Sequence, residues 1–155
     1  MIAIDIGSAD HSHESSTERL ITRFHPTLIV ALDPHPTTEA GVRLHGETIV
    51  ATTQAAAWTQ EGQIGYHEES GSSRVLENPD LPQVPCIDIA EWITGFEATV
   101  LKLDCEGAEY TLLPHLIDQQ LDRGLELVWV EWHVPYTRKR EIEQTIRCPL
   151  EEWLW

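Results

Sequence analysis

The chain has 155 residues, of which 41% are hydrophobic and 23% charged, a balance that excludes a disordered class and fits one domain spanning 1–155. Its formal net charge of −16 would repel a phosphate backbone, and the basic residues form one cluster, Arg138-Lys139-Arg140, so nucleic acid is not an expected partner. No apolar run approaches membrane-spanning length, and the opening Met1-Ile2-Ala3-Ile4-Asp5 lacks a positive n-region and a cleavage site. A cytoplasmic protein with no membrane partner is expected. Cys86, Cys105 and Cys148 are odd in number and widely spaced, which argues for reduced thiols rather than a disulfide framework or a thiolate zinc site.

Met1 to Ile6 reads as a short buried strand, followed by a polar loop from Gly7 to Glu14. Ser15 and Glu18 have capping-box spacing, and Leu20, Ile21 and Phe24 recur at helical intervals before Pro26. Thr27 to Leu32 is β-branched and apolar, a second strand ended by Asp33-Pro34-His35-Pro36. A short helix is expected over Thr37 to Leu44, a third strand over Glu47 to Thr52, and a connection from Ala55-Ala56-Ala57-Trp58. Gly62 to Glu68 alternates enough for an extra strand. Glu69 to Pro85, rich in Ser, Gly, Pro and Asn, reads as a long loop that either covers a pocket or touches the acceptor, or is a disordered linker. Ile87 to Ile93 is expected as a short helix, Thr99 to Leu103 as the fourth strand, Glu109 to Leu121 as a helix ended by Gly124, Leu125 to Glu131 as the fifth strand, and Arg138 to Ile146 as the last helix. This alternation predicts a three-layer α/β domain with a mainly parallel sheet.

Val100-Leu101-Lys102-Leu103-Asp104-Cys105-Glu106-Gly107-Ala108-Glu109 is the most informative segment, because an apolar strand runs directly into closely spaced polar residues. Ligands bind at such carboxyl ends in open parallel sheets. Glu131 and His133 end the fifth strand with their side chains on one side of it, close to Asp104 if the fourth and fifth strands are neighbours. Two chemistries follow. A His or carboxylate there can take the proton of an acceptor hydroxyl as general base. Alternatively, Asp104, Glu131 and His133 can hold a divalent ion, with magnesium, manganese, iron and zinc all compatible with mixed oxygen and nitrogen ligands. Lys102 is expected to pair with a carboxylate beneath the site. Glu106 and Glu109 read as backbone-capping or helix-dipole groups, with a minor ligand role left to Glu106. His11-Ser12-His13-Glu14 is a second metal-like run, although such runs are more often solvated loops. Asp33, at the end of the second strand, stands where a Rossmann-type acidic residue accepts ribose hydroxyls, or else serves an Asp-Pro turn.

Lys102, Asp104, Glu106, Gly107 and Glu109 match the K-x-D-x-E-G-x-E signature, and the segment resembles the FkbM family of S-adenosylmethionine-dependent methyltransferases. Asp5-Ile6-Gly7, Asp33-Pro34, the Ala-Trp segment and Glu131-x-His133 follow in that family's order. His11 departs from it, standing where the last glycine of the first loop is expected. The resemblance implies a Rossmann-like class I methyltransferase fold, with room after Glu131 too short for both usual terminal strands. It implies that Asp5, Gly7, Ser8, Asp33, Ala56, Trp58 and Asp104 bind S-adenosylmethionine, with Ala56 and Trp58 near the adenine, although for Trp58 taken alone ordinary core packing is the commoner reading. It also implies methyl transfer to the hydroxyl of a small molecule or sugar, with Asp104, Glu131 and His133 as catalytic residues. A non-catalytic binding domain and a metal-dependent hydrolase using Asp104, Glu131 and His133 are the competing readings. The tail with Trp153 and Trp155 is expected to cover the sheet's far edge or to pack against another copy in a homo-oligomer.

Overall fold

The computed structural model describes residues 1–8, 15–69, 72–134 and 138–153. Strand β1 (Ile2–Ile6) is buried along most of its length and leads to helix α1 (Ser16–Phe24). The Ser15 hydroxyl accepts the Glu18 backbone N–H at 3.1 Å, satisfying one of the open donors of the helix start, and His25 ends the helix in the left-handed region. Strand β2 (Leu28–Leu32) returns parallel to β1.

Strands β3 (Gly41–His45) and β4 (Thr48–Thr53) form a hairpin closed at Gly46, where φ is +61°. The helix expected over Thr37 to Leu44 is therefore absent. Every residue of β3 is exposed, so no apolar face was there to carry a helix, and cross-strand hydrogen bonding with β4 decides the conformation. Strands β5 (Ala56–Trp58), β6 (Gly62–Glu69), β7 (Ser72–Leu76) and β8 (Gln83–Asp88) follow. The long loop expected from Glu69 to Pro85 is replaced in large part by β7 and β8, both paired to β6 in antiparallel sense.

Helix α2 (Ile89–Phe96) is capped by Asp88, which accepts the Ala90 N–H at 2.9 Å. Strand β9 (Val100–Leu103), helix α3 (Glu109–Asp118), a 3-10 turn (Leu121–Arg123), strand β10 (Leu127–Val130), helix α4 (Lys139–Thr145) and strand β11 (Leu150–Glu152) complete the chain. None of the described helices is long and apolar enough to cross a membrane.

The expected three-layer Rossmann-like methyltransferase architecture is corrected by the way these elements assemble. Two sheets form. One has seven strands in the order β11-β10-β9-β1-β2-β4-β3, parallel except where β3 runs against β4; the other has four, in the order β5-β8-β6-β7. Only four α-helices occur among the described residues, and the span between β2 and α2 is built from strands. The physical cause is the composition of residues 37–88, where Thr, Val, Ser and Gly recur without a 3.6-residue apolar period, so strand pairing fills the places where crossover helices were expected.

Alternation along the central strands divides the core. Ala3, Ile29, Ala31, Val50, Val100 and Trp129 pack with Leu20 of α1 and with Trp153. Ile4, Val30, Leu101 and Val128 join a larger cluster with Ile93, Leu112, Leu113, Leu116 and residues of the second sheet. Trp153 is 1% exposed and stands edge-on to Trp129 at 4.2 Å, with the Arg19 guanidinium 4.0 Å from its ring centre. It is thus buried within its own chain; Trp155 lies outside the described residues.

Candidate active site at the carboxyl ends of the central strands

Strand order reverses between β1 and β9, since the chain proceeds outward from β1 through β2 on one side and from β9 through β10 on the other. The ends of β1, β9 and β10 therefore meet where an open parallel sheet leaves a crevice. Register places Asp5 beside Lys102 and Lys102 beside Trp129. Lys102 and Asp5 are both fully buried, with Nζ 3.4 Å from Oδ1 of Asp5. Ser16 and Thr17 of α1 donate to the same carboxylate at 2.8–2.9 Å. The Lys102 ammonium also donates to the carbonyls of Gly7 (2.8 Å) and Ile6 (3.2 Å) and lies 3.6 Å from Oδ2 of Asp104. The expected pairing of Lys102 with a carboxylate beneath the site thus involves two. The Asp5 oxygens are committed to α1 and Lys102.

Gly7 is required by this crossing of backbones. Its φ is +73°, and a Cβ built on it would lie 1.7 Å from the Asp104 carbonyl oxygen. The close approach that its missing side chain permits is to Asp104 of the neighbouring strand end.

His133 is the hub above this floor. Its backbone N–H donates to Oε1 of Glu109 at 2.8 Å, and its Nδ1 lies 3.3 Å from the same oxygen. Oε2 of Glu109 accepts the Gly107 N–H at 2.9 Å, so this fully buried carboxylate ties the turn after β9 to the end of β10. The Tyr110 hydroxyl donates to the His133 carbonyl at 2.6 Å. With Nδ1 held by Glu109, Nε2 faces Asp104 Oδ1 (3.6 Å), Glu106 Oε2 (3.6 Å) and Glu131 Oε1 (3.8 Å). Burial opposes a charge on the imidazole, but the Glu109 hydrogen bond, with the charges of Glu109, Glu106 and Asp104, pushes His133 up to about 8. Asp104 is raised by burial, only partly offset by Lys102 and His133. Burial works against ionised Glu109 as well, yet hydrogen bonds from His133 outweigh it and hold its carboxyl below the usual range.

Asp104, Glu131 and His133, chosen from strand-end spacing, do come together. Glu106 joins them. One ligand atom each from Asp104, Glu106 and His133 lie within 4.8 Å of one another, which gives Glu106 a larger share than its sequence context suggested. The decisive feature is the turn after β9: Glu106 adopts φ +53° and Gly107 φ +105°, and that turn brings the Glu106 carboxylate to His133. Glu109 is the other residue whose part was underrated; its four-residue-upstream Cys105 and its helix-start position gave no sign that it would grip His133.

A cleft of about 400 Å³ opens beside the centre, lined among others by Trp58, Arg74, Glu77, Glu106, Tyr110 and Val134. Glu106 therefore borders both the cleft and the His133 centre. Arg74 and Leu76 come from β7, part of the segment expected as a loop over the site. Of the residues assigned to the cofactor, Ala56 and Trp58 are buried on β5, and the Trp58 indole N–H donates to Glu77 at 3.2 Å. Asp33 ends β2, where its Oδ1 accepts the His35 N–H (2.8 Å) and the Thr38 hydroxyl (3.4 Å), a turn-stabilising arrangement. Ser8 is half-buried after β1. The run His11-Ser12-His13-Glu14, with its candidate metal role and its departure from the glycine pattern, lies outside the described residues. Neither a protein-family model, nor a curated protein, nor a solved structure matches this chain.

Proposed function

We propose that the chain transfers a methyl group from S-adenosylmethionine to a hydroxyl oxygen of a small molecule or sugar, in the cytoplasm. The observation that carries this reading is the meeting of Asp5, Lys102, Asp104, Glu109, Glu131 and His133, residues of the resembling motifs from three separate strand ends, in one connected polar site. When bound, the cofactor supplies an electrophilic methyl on a sulfonium. The donor set suits that cation, because Asp104, Glu106 and Glu131 give the edge an excess of carboxylates. Ser8, Asp33 and Asp104 would hold it, backed by Ala56 and Trp58, while Asp5 and Gly7 fix the end of β1 beside Lys102 and Asp104.

The acceptor enters from the cleft, past Glu106 and Tyr110. Its hydroxyl loses a proton to a carboxylate of the Asp104, Glu131 and His133 centre, beside an imidazole fixed in rotation by Glu109, and positioning supplies much of the remaining rate. Calorimetric titration of S-adenosylmethionine and S-adenosylhomocysteine into the purified chain tests the reading. Binding near 1 μM, about −8 kcal/mol, is the expected result. No heat with either ligand at millimolar concentration would overturn it. The second reading, a metal-dependent hydrolase, is favoured by the grouping of Asp104, Glu106 and His133 and needs no nucleoside. It gains if metal binds and neither nucleoside does.

A further inference from the structure

We propose that Asp104, Glu106 and His133 bind a divalent metal ion at the mouth of the cleft, with Glu109 and Lys102 as the groups that hold the ligands in place. The ligand atoms are close to the spacing an ion requires. Bonds of about 2.0–2.2 Å at octahedral or tetrahedral angles set neighbouring ligand atoms roughly 2.8–3.6 Å apart. Asp104 Oδ1 and Glu106 Oε2 each lie 3.6 Å from His133 Nε2. All three ligand atoms lie within 4.8 Å of one another, so side-chain rotation would be enough to draw them onto one ion.

The ring orientation is the second argument. Glu109 contacts His133 on the Nδ1 side and is itself fixed by the Gly107 N–H, so the imidazole presents Nε2 to the carboxylates. A histidine whose outer nitrogen is held by a buried carboxylate is the arrangement that fixes tautomer and raises basicity at metal centres. Lys102 acts likewise on Asp104, engaging Oδ2 from below while Oδ1 faces His133.

Charge is the third. Asp104, Glu106, Glu109 and Glu131 surround a single imidazole, and the nearest ammonium, Lys102, is already shared with Asp5 and two carbonyls. Carboxylates drawn together by the turn after β9 and the end of β10 make this a place that favours a cation, and a divalent ion at Nε2 would meet Asp104 and Glu106 together. The Cys105 thiol faces Glu109 rather than the cluster, so the donor set is oxygen and nitrogen, suited to manganese, iron or zinc. Glu131, at 3.8 Å from Nε2, stands just outside the three ligands. Because Glu106 also borders the cleft, the ion would leave its open positions toward an incoming oxygen, lowering the pKa of a bound hydroxyl.

Ion binding needs no nucleoside, so the test is separable from that of methyl transfer. The chelator-stripped chain is titrated with Mn2+ alone while the electron paramagnetic resonance signal of free Mn2+ is followed, and the titration is repeated with Zn2+ by calorimetry. One saturable site is expected, weakened about tenfold or more in Asp104→Asn and in Glu106→Gln, and less in Glu131→Gln. Far-ultraviolet circular dichroism establishes that each variant is folded; if Asp104→Asn is not, the half-buried Glu106 decides the matter alone. Absence of a saturable site up to millimolar Mn2+ and Zn2+ would overturn the proposal. So would binding of unchanged strength in folded Glu106→Gln, which would mean general attraction to an acidic surface.

Discussion

Lys102 donates to the carbonyls of Ile6 and Gly7 while lying 3.4 Å from Asp5, so one buried cation joins the floor of β1 to the end of β9. Lys102→Met would leave the Asp5 carboxylate buried with hydroxyl donors and no cation. A loss of about 3–5 kcal/mol in urea unfolding is expected, the cost of an uncompensated buried charge. Gly7→Ala tests the neighbouring constraint: its Cβ would overlap the Asp104 carbonyl in a left-handed conformation, and the melting temperature should fall sharply, against little change for Gly95→Ala, where a Cβ meets nothing within 4 Å. At His133 the prediction concerns pH. Its folded value of about 8 lies above the ordinary 6.5, so the folded state binds the proton more tightly. That stabilisation is fully present below pH 6.5 and is lost as pH rises through 8. In chelator-containing buffer the imidazole should titrate near pH 8 by NMR, and the urea midpoint should decline from pH 6.5 to 8.5. Glu109→Gln should move the titration back toward the ordinary value; an unchanged titration in that variant would disprove the role given to Glu109.

Among the elements, those with a strong local signal were readable from residues alone. The Ser15 cap, the apolar run of β9 and the end of β10 at Glu131 each carry their instruction within a few residues, and Ser15→Ala should cost about 1 kcal/mol by removing the acceptor for Glu18 N–H. The misread elements share a different origin. β3 has no buried residue although Val42 and Leu44 alternate with Arg43 and His45, and β7 is paired at the outside of its sheet, so neither carries the run of buried apolar residues that marks β9 and β10, and both are held by hairpin pairing to a neighbouring strand. The exposed side chains of β3 follow from this: Val42 and Leu44 are 76% and 72% exposed, and Val42→Thr or Leu44→Thr should change stability by no more than about 0.5 kcal/mol. The site shows the same division. Asp104, Glu131 and His133 could be chosen because strand ends are visible in apolar patterning. Glu106 and Glu109 could not be ranked, because their roles depend on the direction of a turn whose left-handed residues include a glutamate, a conformation that sequence does not announce.

For the whole molecule, net charge and topology act against each other. Sheet pairing concentrates residues from distant parts of the chain at one edge, and the carboxylates gathered there add to a formal charge of −16 spread over a small domain. Self-repulsion then opposes the compact state more than the expanded one, since charges lie farther apart in the unfolded chain. The seven-stranded sheet holds because its apolar interior outweighs that repulsion, with Lys102 neutralising the one carboxylate that is fully enclosed at the floor. Screening should therefore stabilise the fold. Raising sodium chloride from about 10 mM to about 200 mM shortens the Debye length from roughly 30 Å to under 10 Å, which removes most repulsion between exposed acids but leaves the enclosed Asp5–Lys102 pair nearly untouched. The melting temperature should rise across that range at neutral pH. It should rise less at pH 5, where some of the acids are protonated, and less in a variant with several exposed glutamates such as Glu47 and Glu126 changed to glutamine. A melting temperature independent of salt at neutral pH would mean that the acidic charge is too dispersed to oppose folding, and that the carboxylates at the sheet edge are balanced by their immediate neighbours.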